Sequence, residues 1–578
     1  MNRELIILSI ASSFTVCNCS ESAVPSAATS ATAPAATAPS SHKEEMPQVP
    51  ATIADWARGA MLFEGLGNVH RPITTSSPEA QKYFDQGLAL MWGFNHDEAT
   101  RSFAKAAELD PKCAACFWGV SLTVGPNYNL PFLVEERARV AFEALARARE
   151  NAADASPTEQ ALIMALASRY PTALPPEPAK TTGILIAYAE AMKGAAARFP
   201  DDLDVQTLYA EALMNINAWK LWTPEGKPAA YTERVVATLD SVLARDPAHP
   251  GANHYLVHAL EASPHPERAL AAAERLKTLM PAAGHLVHMP AHIMQRIGRY
   301  EQAAEANRKG IADDESYVSR TRPLDYYPVM YTAHNYQFLA CSAAMEGRRA
   351  EATAATDGSR NAVTDAMLLA MPGTDWYVAE SYTARVRFGL WDELLAMPAP
   401  NPKLAGLTGG FLYGRAVALA AKGRLDEARV ALGELQAFAA NTPADVPAGM
   451  NSVREILAVA IPIVEARIAV GERRTENALA SLRQAVAAED RLAYNEPKDW
   501  FFPVRHLLGA QLMQAGKMSE AERVYREDLE RNPANGWALY GLSAALKAQG
   551  KTAESTQVAR QFESAWKHAD IKLTASAF

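Results

Sequence analysis

Small and apolar residues recur three and four positions apart along most of this chain, with polar residues between them. In "YFDQGLALMWGFNHDEATRSFAKAAELDP" the anchors are Gly87, Ala99, Phe103, Ala106 and Pro111. That period belongs to a helix with one buried face. Here two such runs are joined by a short polar turn and closed by proline, which cannot continue a helix. The layout returns near the end, with Gly509, Ala521, Tyr525 and Pro533 in one unit and Gly541 and Ala553 in the next. Small positions let two helices approach closely and the aromatic fills the space between them. No stretch alternates with the period of a strand. The pattern predicts an all-α superhelical solenoid of roughly nine to twelve helical hairpins, by length over repeat period. Each hairpin buries its apolar face only against its neighbours.

Further units open at Gly119 in "KCAACFWGVSLTVG" and carry Ala269 with Pro281, Ala303, and Ala352. Residues 150 to 245 and 360 to 500 read as degenerate helix pairs with proline-rich punctuation such as "YPTALPPEPAK". Trp537, Gly541 and the alanine, aromatic and proline anchors resemble the tetratricopeptide (TPR) repeat. That resemblance implies a concave groove lined by positions 2, 5, 9, 12 and 13 of each first helix. In the unit anchored on Ala303, those positions hold His285, His288 and His292. In the unit anchored on Ala269 they hold His254, His258 and Glu261, and in the Ala352 unit His334, Gln337 and Cys341. The prolines give the same register, since Glu211, His258 and His292 follow Pro200, Pro247 and Pro281 by eleven positions each.

Histidines four apart share one helix face, and packed helices lie about 8–10 Å apart. Two His-x-x-x-His pairs on successive first helices therefore form a two-by-two grid of His254, His258, His288 and His292. Such a grid suits copper or zinc, with Glu211, Glu261, His285, His334 and Cys341 as further candidates at its edge. Acceptors behind the rings would be needed to fix their tautomers. Without a metal, the same rings would line a groove for a peptide or an acidic ligand. Cys113 and Cys116 also fall at groove positions and fit a disulfide, a soft-metal pair or reduced packing. Asn127 and Asn129 read as capping residues of a loop. His249 and His265 read as loop residues beside prolines, and His506 lies too far along the chain to join the cluster unless the superhelix curls back.

The 578 residues are 49% hydrophobic and carry 56 basic against 65 acidic side chains, a net charge of −9. The balance argues against a nucleic-acid partner, which calls for a basic stripe. Arg3 followed by the apolar stretch Leu5 to Val16 predicts a signal peptide over 1–19, with Cys17 or Cys19 as a possible lipid anchor and no transmembrane span. A Ser, Ala, Thr and Pro-rich tether over 20–50 follows. The predicted domains are an N-terminal solenoid with the histidine groove over 51–360, degenerate hairpins over 361–495, and C-terminal repeats over 496–578. The chain shows no phosphate-binding loop, nucleotide fingerprint, nucleophile elbow or His-Glu-x-x-His, so no nucleotide cofactor is expected.

The segments "CAACFWG", "HPGANHYLVHALEASPHPERA", "GHLVHMPAHIMQRIGRY", "AHNYQFL" and "REDLERNPANGWALYGL" resemble a group of large exported bacterial tetratricopeptide proteins of undefined role. The resemblance implies a periplasmic or envelope-anchored solenoid with a histidine-bearing groove, and no particular reaction. Three functions follow as expectations: a metal-binding solenoid, a scaffold for a protein or peptide partner, and a metalloenzyme with an open coordination position.

Overall fold

The computed structural model describes residues 49–578 apart from positions 322, 325 and 501. The expected signal peptide, most of the tether, and Cys17 and Cys19 lie outside the described residues. The remainder is a run of antiparallel helical hairpins. It begins with Pro78–Trp92 against His96–Leu109 and ends with Gly536–Ala548 against Thr552–Ala565. A two-residue strand pair, Pro447–Ala448 with Asn451–Ser452, is the extent of sheet among the described residues. Within them, no helix is long and apolar enough to cross a membrane.

The anchors do the packing their sizes require. A Cβ at Gly87 or Gly119 would fall 2.7 or 2.4 Å from the Phe103 ring. Phe103 is fully buried between these two glycines, so the second helix of one hairpin is wedged between two first helices. Tyr525 repeats the arrangement with Gly509 and Gly541, at 2.4 and 2.2 Å. Buried apolar side chains form one large cluster from Trp56 to Tyr331 and another from Val329 to Val558.

The superhelix curls back on itself. Tyr331 Oη donates to the Phe94 carbonyl at 2.8 Å, across 237 positions. Trp537 Nε1 donates to the Ala344 carbonyl at 2.8 Å, and the Asp570 carboxylate accepts from the Arg349 and Ala350 amides at 2.7 and 2.8 Å. The early and middle hairpins thereby meet beside the histidines, and the last hairpins pack on the middle ones.

Candidate metal centre

Three helices supply the rings. Pro250–Glu261 starts with proline at a position that needs no amide donor. His249 caps it, its Nδ1 accepting from the Ala252 amide at 3.1 Å, so this buried residue is a helix cap rather than a loop residue. His254 and His258 follow one turn apart. Gly284–His288 carries His285 and His288, and Pro290 restarts it as Pro290–Arg296, which carries His292. Ala333–Met345 follows a π-helical turn at Pro328–Thr332 and carries His334 in its first turn. Single π turns of this kind recur at functional sites.

Glycines set the approach distances. A Cβ at Gly251 would fall 2.4 Å from the Trp92 ring, so only glycine lets the Trp92 carbonyl reach His254. A Cβ at Gly310 would fall 3.2 Å from the His288 Cβ. This close crossing brings Asn307, on the Tyr300–Thr321 helix, to His288.

Each of four rings has its Nδ1 held by an acceptor. His254 Nδ1 donates to the Trp92 carbonyl at 2.6 Å and His258 Nδ1 to Glu261 Oε1 at 2.7 Å. His288 Nδ1 donates to Asn307 Oδ1 at 2.6 Å, and the Asn307 amide is oriented by its own bond to the Ala303 carbonyl. His292 Nδ1 faces Glu261 Oε2 at 2.5 Å and also Glu496 Oε2. A carbonyl or an ionised carboxylate only accepts, so with Glu261 and Glu496 charged these four Nδ1 atoms carry the proton. In a neutral ring that leaves a lone pair on every Nε2. Yet His288 Nε2 and His292 Nε2 stand 2.6 Å apart with no proton left to share. His254 Nε2 lies 3.1 Å from His285 Nε2, and His258 Nε2 is buried without any partner.

Burial, followed by neighbouring imidazoles, holds His254, His285, His288, His292 and His334 well below the usual histidine range. Burial pushes Glu261 above the usual carboxylate range, opposed by His258. Apolar walls close the group. Phe94 stacks on His258 and His285 at 5.5 and 6.0 Å, and Phe338 packs on His288 and His292 at 4.8 and 4.5 Å. Phe94 sits at φ 55°, a left-handed conformation that costs a non-glycine residue about 1–3 kcal/mol. Cavities of about 70 and 50 Å³ abut the group, one at His285 beside Tyr317 and Tyr327, the other at His292 and Glu496 beside Arg296 and Lys498.

The expected four-histidine grid is arranged differently. Among the described residues the histidine donor atoms gather within 4.8 Å as two threes, His254 with His258 and His285, and His288 with His292 and His334, and a third set joins His258 to Glu261 and Glu496. His285 and His334, expected at the edge, complete the sets. Glu261 stands behind the rings, joined there by Glu496, and both lie within 4.8 Å of a His258 nitrogen. Glu211, aligned with His258 and His292 in the repeat, is buried elsewhere, its Oε1 accepting from Asn215 and its charge facing Arg169. Its site belongs to an earlier hairpin that faces Tyr170 and Tyr188 instead. Cys113 and Cys116 are joined in a disulfide, one of the alternatives left open, which removes both from the ligand set. Cys341 is a buried free thiol that burial pushes well above the usual thiol range, so it remains protonated beside His292 and outside the threes. His506 pairs with Asp528 at 2.7 Å and Arg387 in a separate network, so the curl of the superhelix brings in Glu496 but not His506.

Sequence spacing identified the helices and the rings but missed Asn307, Phe94 and Glu496. Asn307 lies one turn past the Ala303 anchor on a second helix, which was a usable signal. Glu496 lies in "AYNEPKDW" between repeats, 204 positions from His292, and no local pattern marks it.

No family model matches the chain, and no curated protein does. Among solved structures, the human IFIT1 dimer with m7Gppp-AAAA is 12% identical, covers 79% of this chain and 90% of its own, and gives a TM-score of 0.32. The IFIT1 dimer with PPP-AAAA gives 12%, 79%, 91% and 0.33. Naa15/Naa10 bound to HypK-THB gives 13%, 84%, 70% and 0.21. At these levels the likeness assigns this chain neither a family nor a ligand.

Proposed function

We propose that this chain is an exported helical-repeat protein that holds copper or zinc in a buried histidine cage. One observation carries the reading: Nδ1 acceptors leave His288 Nε2 and His292 Nε2 as facing lone pairs 2.6 Å apart. Two lone pairs at that distance repel, and a cation held by both, once the rings part to about 3.3 Å, turns the repulsion into two bonds. The carboxylates and carbonyl behind the rings are the outer partners that histidine ligands of metals commonly keep. An all-nitrogen donor set suits copper or zinc, with copper bound more tightly in the usual order.

A second reading, catalysis at the bound metal, is favoured by the count of donors. Three histidines leave a tetrahedral ion one open position, and small cavities reach both ends of the group. A peptide lying on the histidines is disfavoured, because five of the six rings are less than 5% exposed. A partner-binding role would use other surfaces of the repeats.

The test is elemental mass spectrometry of the mature chain, purified without a tag from its native compartment. Copper or zinc is expected, and the combined substitution His258→Ala and His292→Ala should remove it while helical circular dichroism stays near the parent's. A folded double variant with unchanged metal content would sink the reading, as would a parent that takes up neither ion.

A further inference from the structure

The two groups of three are the same construction built twice. In the first, a His-x-x-x-His pair on Pro250–Glu261 meets His285 from the first turn of the next first helix. In the second, the pair His288 and His292 meets His334 from the first turn of the helix after that. Each pair has both Nδ1 atoms tied to acceptors. The construction stops on both sides. One repeat earlier, the pair positions hold Thr207 and Glu211 and the following first turn holds Gly251. One repeat later, they hold Gln337 and Cys341.

The two groups are neighbours. The ring of His258 lies 5.6 Å from that of His292, and His285 lies 5.9 Å from His288. Glu261 ties them together, holding His258 of one group through Oε1 and His292 of the other through Oε2. Three nitrogens around one tetrahedral ion lie about 3.3 Å from each other, given bonds of 2.0–2.1 Å. The nitrogens of each group lie within 4.8 Å of one another, and six rings exceed the four donors of a tetrahedral ion.

Resting on the metal reading above, we propose that the cage holds two ions, one in each histidine group, as a neighbouring pair of copper or zinc ions linked through the shared Glu261 carboxylate behind their ligands.

The experiment titrates the full mature chain with copper(II) sulfate, and separately with zinc sulfate. After desalting, the ions retained per chain are counted by elemental mass spectrometry. For the copper form, the electron paramagnetic resonance spectrum is recorded as well, at full and at half field. Two ions per chain are expected, with a copper signal broadened by dipolar coupling and a half-field transition from the adjacent spins. One ion per chain would overturn the pair and leave the metal reading standing. None would overturn both. Two ions with an unbroadened signal and no half-field transition would place them apart and also overturn the pair. His285→Gln and His334→Gln, each removing one ring from one group, should each reduce the count from two to one. If both folded variants kept two ions, the assignment of one ion to each group would fail. Should either variant not fold, the parent's count and signal still decide.

Discussion

Glu261 is the residue whose loss should affect the site most without removing a ligand. Its two oxygens hold His258 Nδ1 at 2.7 Å and His292 Nδ1 at 2.5 Å. His292 has a second acceptor in Glu496, but His258 has no other. In Glu261→Ala the His258 ring is free to move its proton to Nε2, which then no longer offers a lone pair to an ion. Outer partners of this kind are worth roughly 10–100-fold in metal affinity, or about 1.4–2.7 kcal/mol. Glu261→Gln is the graded control. Its amide oxygen can still serve His258 while its NH₂ turns to the Glu496 carboxylate, so its loss should be smaller than alanine's. Removing Glu496 as well leaves both rings without acceptors, and because the two carboxylates back each other up at His292 the double loss should exceed the product of the single ones. Competition against a chromophoric chelator measures each constant, with circular dichroism to confirm the fold. The reasoning is refuted if Glu261→Ala binds copper and zinc as tightly as the parent, or if Glu261→Gln is the more damaging change.

Three other outcomes are expected. Replacing Cys113 and Cys116 together by serine opens a ring of only four residues, so it should lower stability by about 2 kcal/mol and leave metal content unchanged; a lost ion would return the pair to the ligand set. Phe103→Ala empties the space between Gly87 and Gly119 and should cost about 3–5 kcal/mol, read from denaturant unfolding; a change under 1 kcal/mol would contradict the wedge. Burial raises the Asp314 carboxyl to about 7, while its bonds from Tyr327 and Asn335 pull it down. An acid with a raised folded pKa stabilises fully below its unfolded value near 3.8 and loses that contribution as pH rises through about 7. The loss is on the order of 4 kcal/mol. Asp314→Asn should therefore flatten the stability profile between pH 4 and 7, with Asn335 turned to present its unpartnered oxygen; equal slopes in parent and variant would count against it.

Periodicity made the repeats legible because the packing rule is local. Gly87, Phe103 and Gly119 lie within one hairpin and the start of the next, and their sizes alone place them. The histidines were legible for the same reason, since four positions make one helical turn. What the spacing could not supply was the split of the grid. Whether His258 pairs with His285 or with His292 depends on how far successive first helices are rotated. That rotation is set by Pro290 restarting one helix and by the π turn at Pro328–Thr332 before the next. Glu211 shows the limit of repeat register. It occupies the same position as His258 on an earlier helix, yet the curvature of the superhelix points it toward Arg169 and away from the rings. Phe94 falls inside a helical run in the sequence, and its left-handed backbone is held by the bond its carbonyl accepts from Tyr331, 237 positions away.

The closing of the groove explains why a solenoid can hold such a cage at all. An open repeat array exposes its concave face, and exposed imidazoles exchange their bonds with water. Here the first hairpin covers one end through the Trp92 carbonyl and Phe94, and the stretch at Glu496 covers the other. The entropy of closing such long loops grows only by about 0.6 kcal/mol for each doubling of length, so distant residues are little costlier than near ones as partners. Terminal repeats of a solenoid have only one neighbour and would fray first, but in this chain Asp570 and Trp537 pin the last hairpins onto Arg349, Ala350 and Ala344. Those contacts hold the late repeats against the middle ones, and the same closure places Glu496 behind His292. The acceptors that orient the rings and the contacts that wind the superhelix are thus parts of one cooperative arrangement, and its buried carboxylates and facing lone pairs are the groups the proposed cation would stabilise.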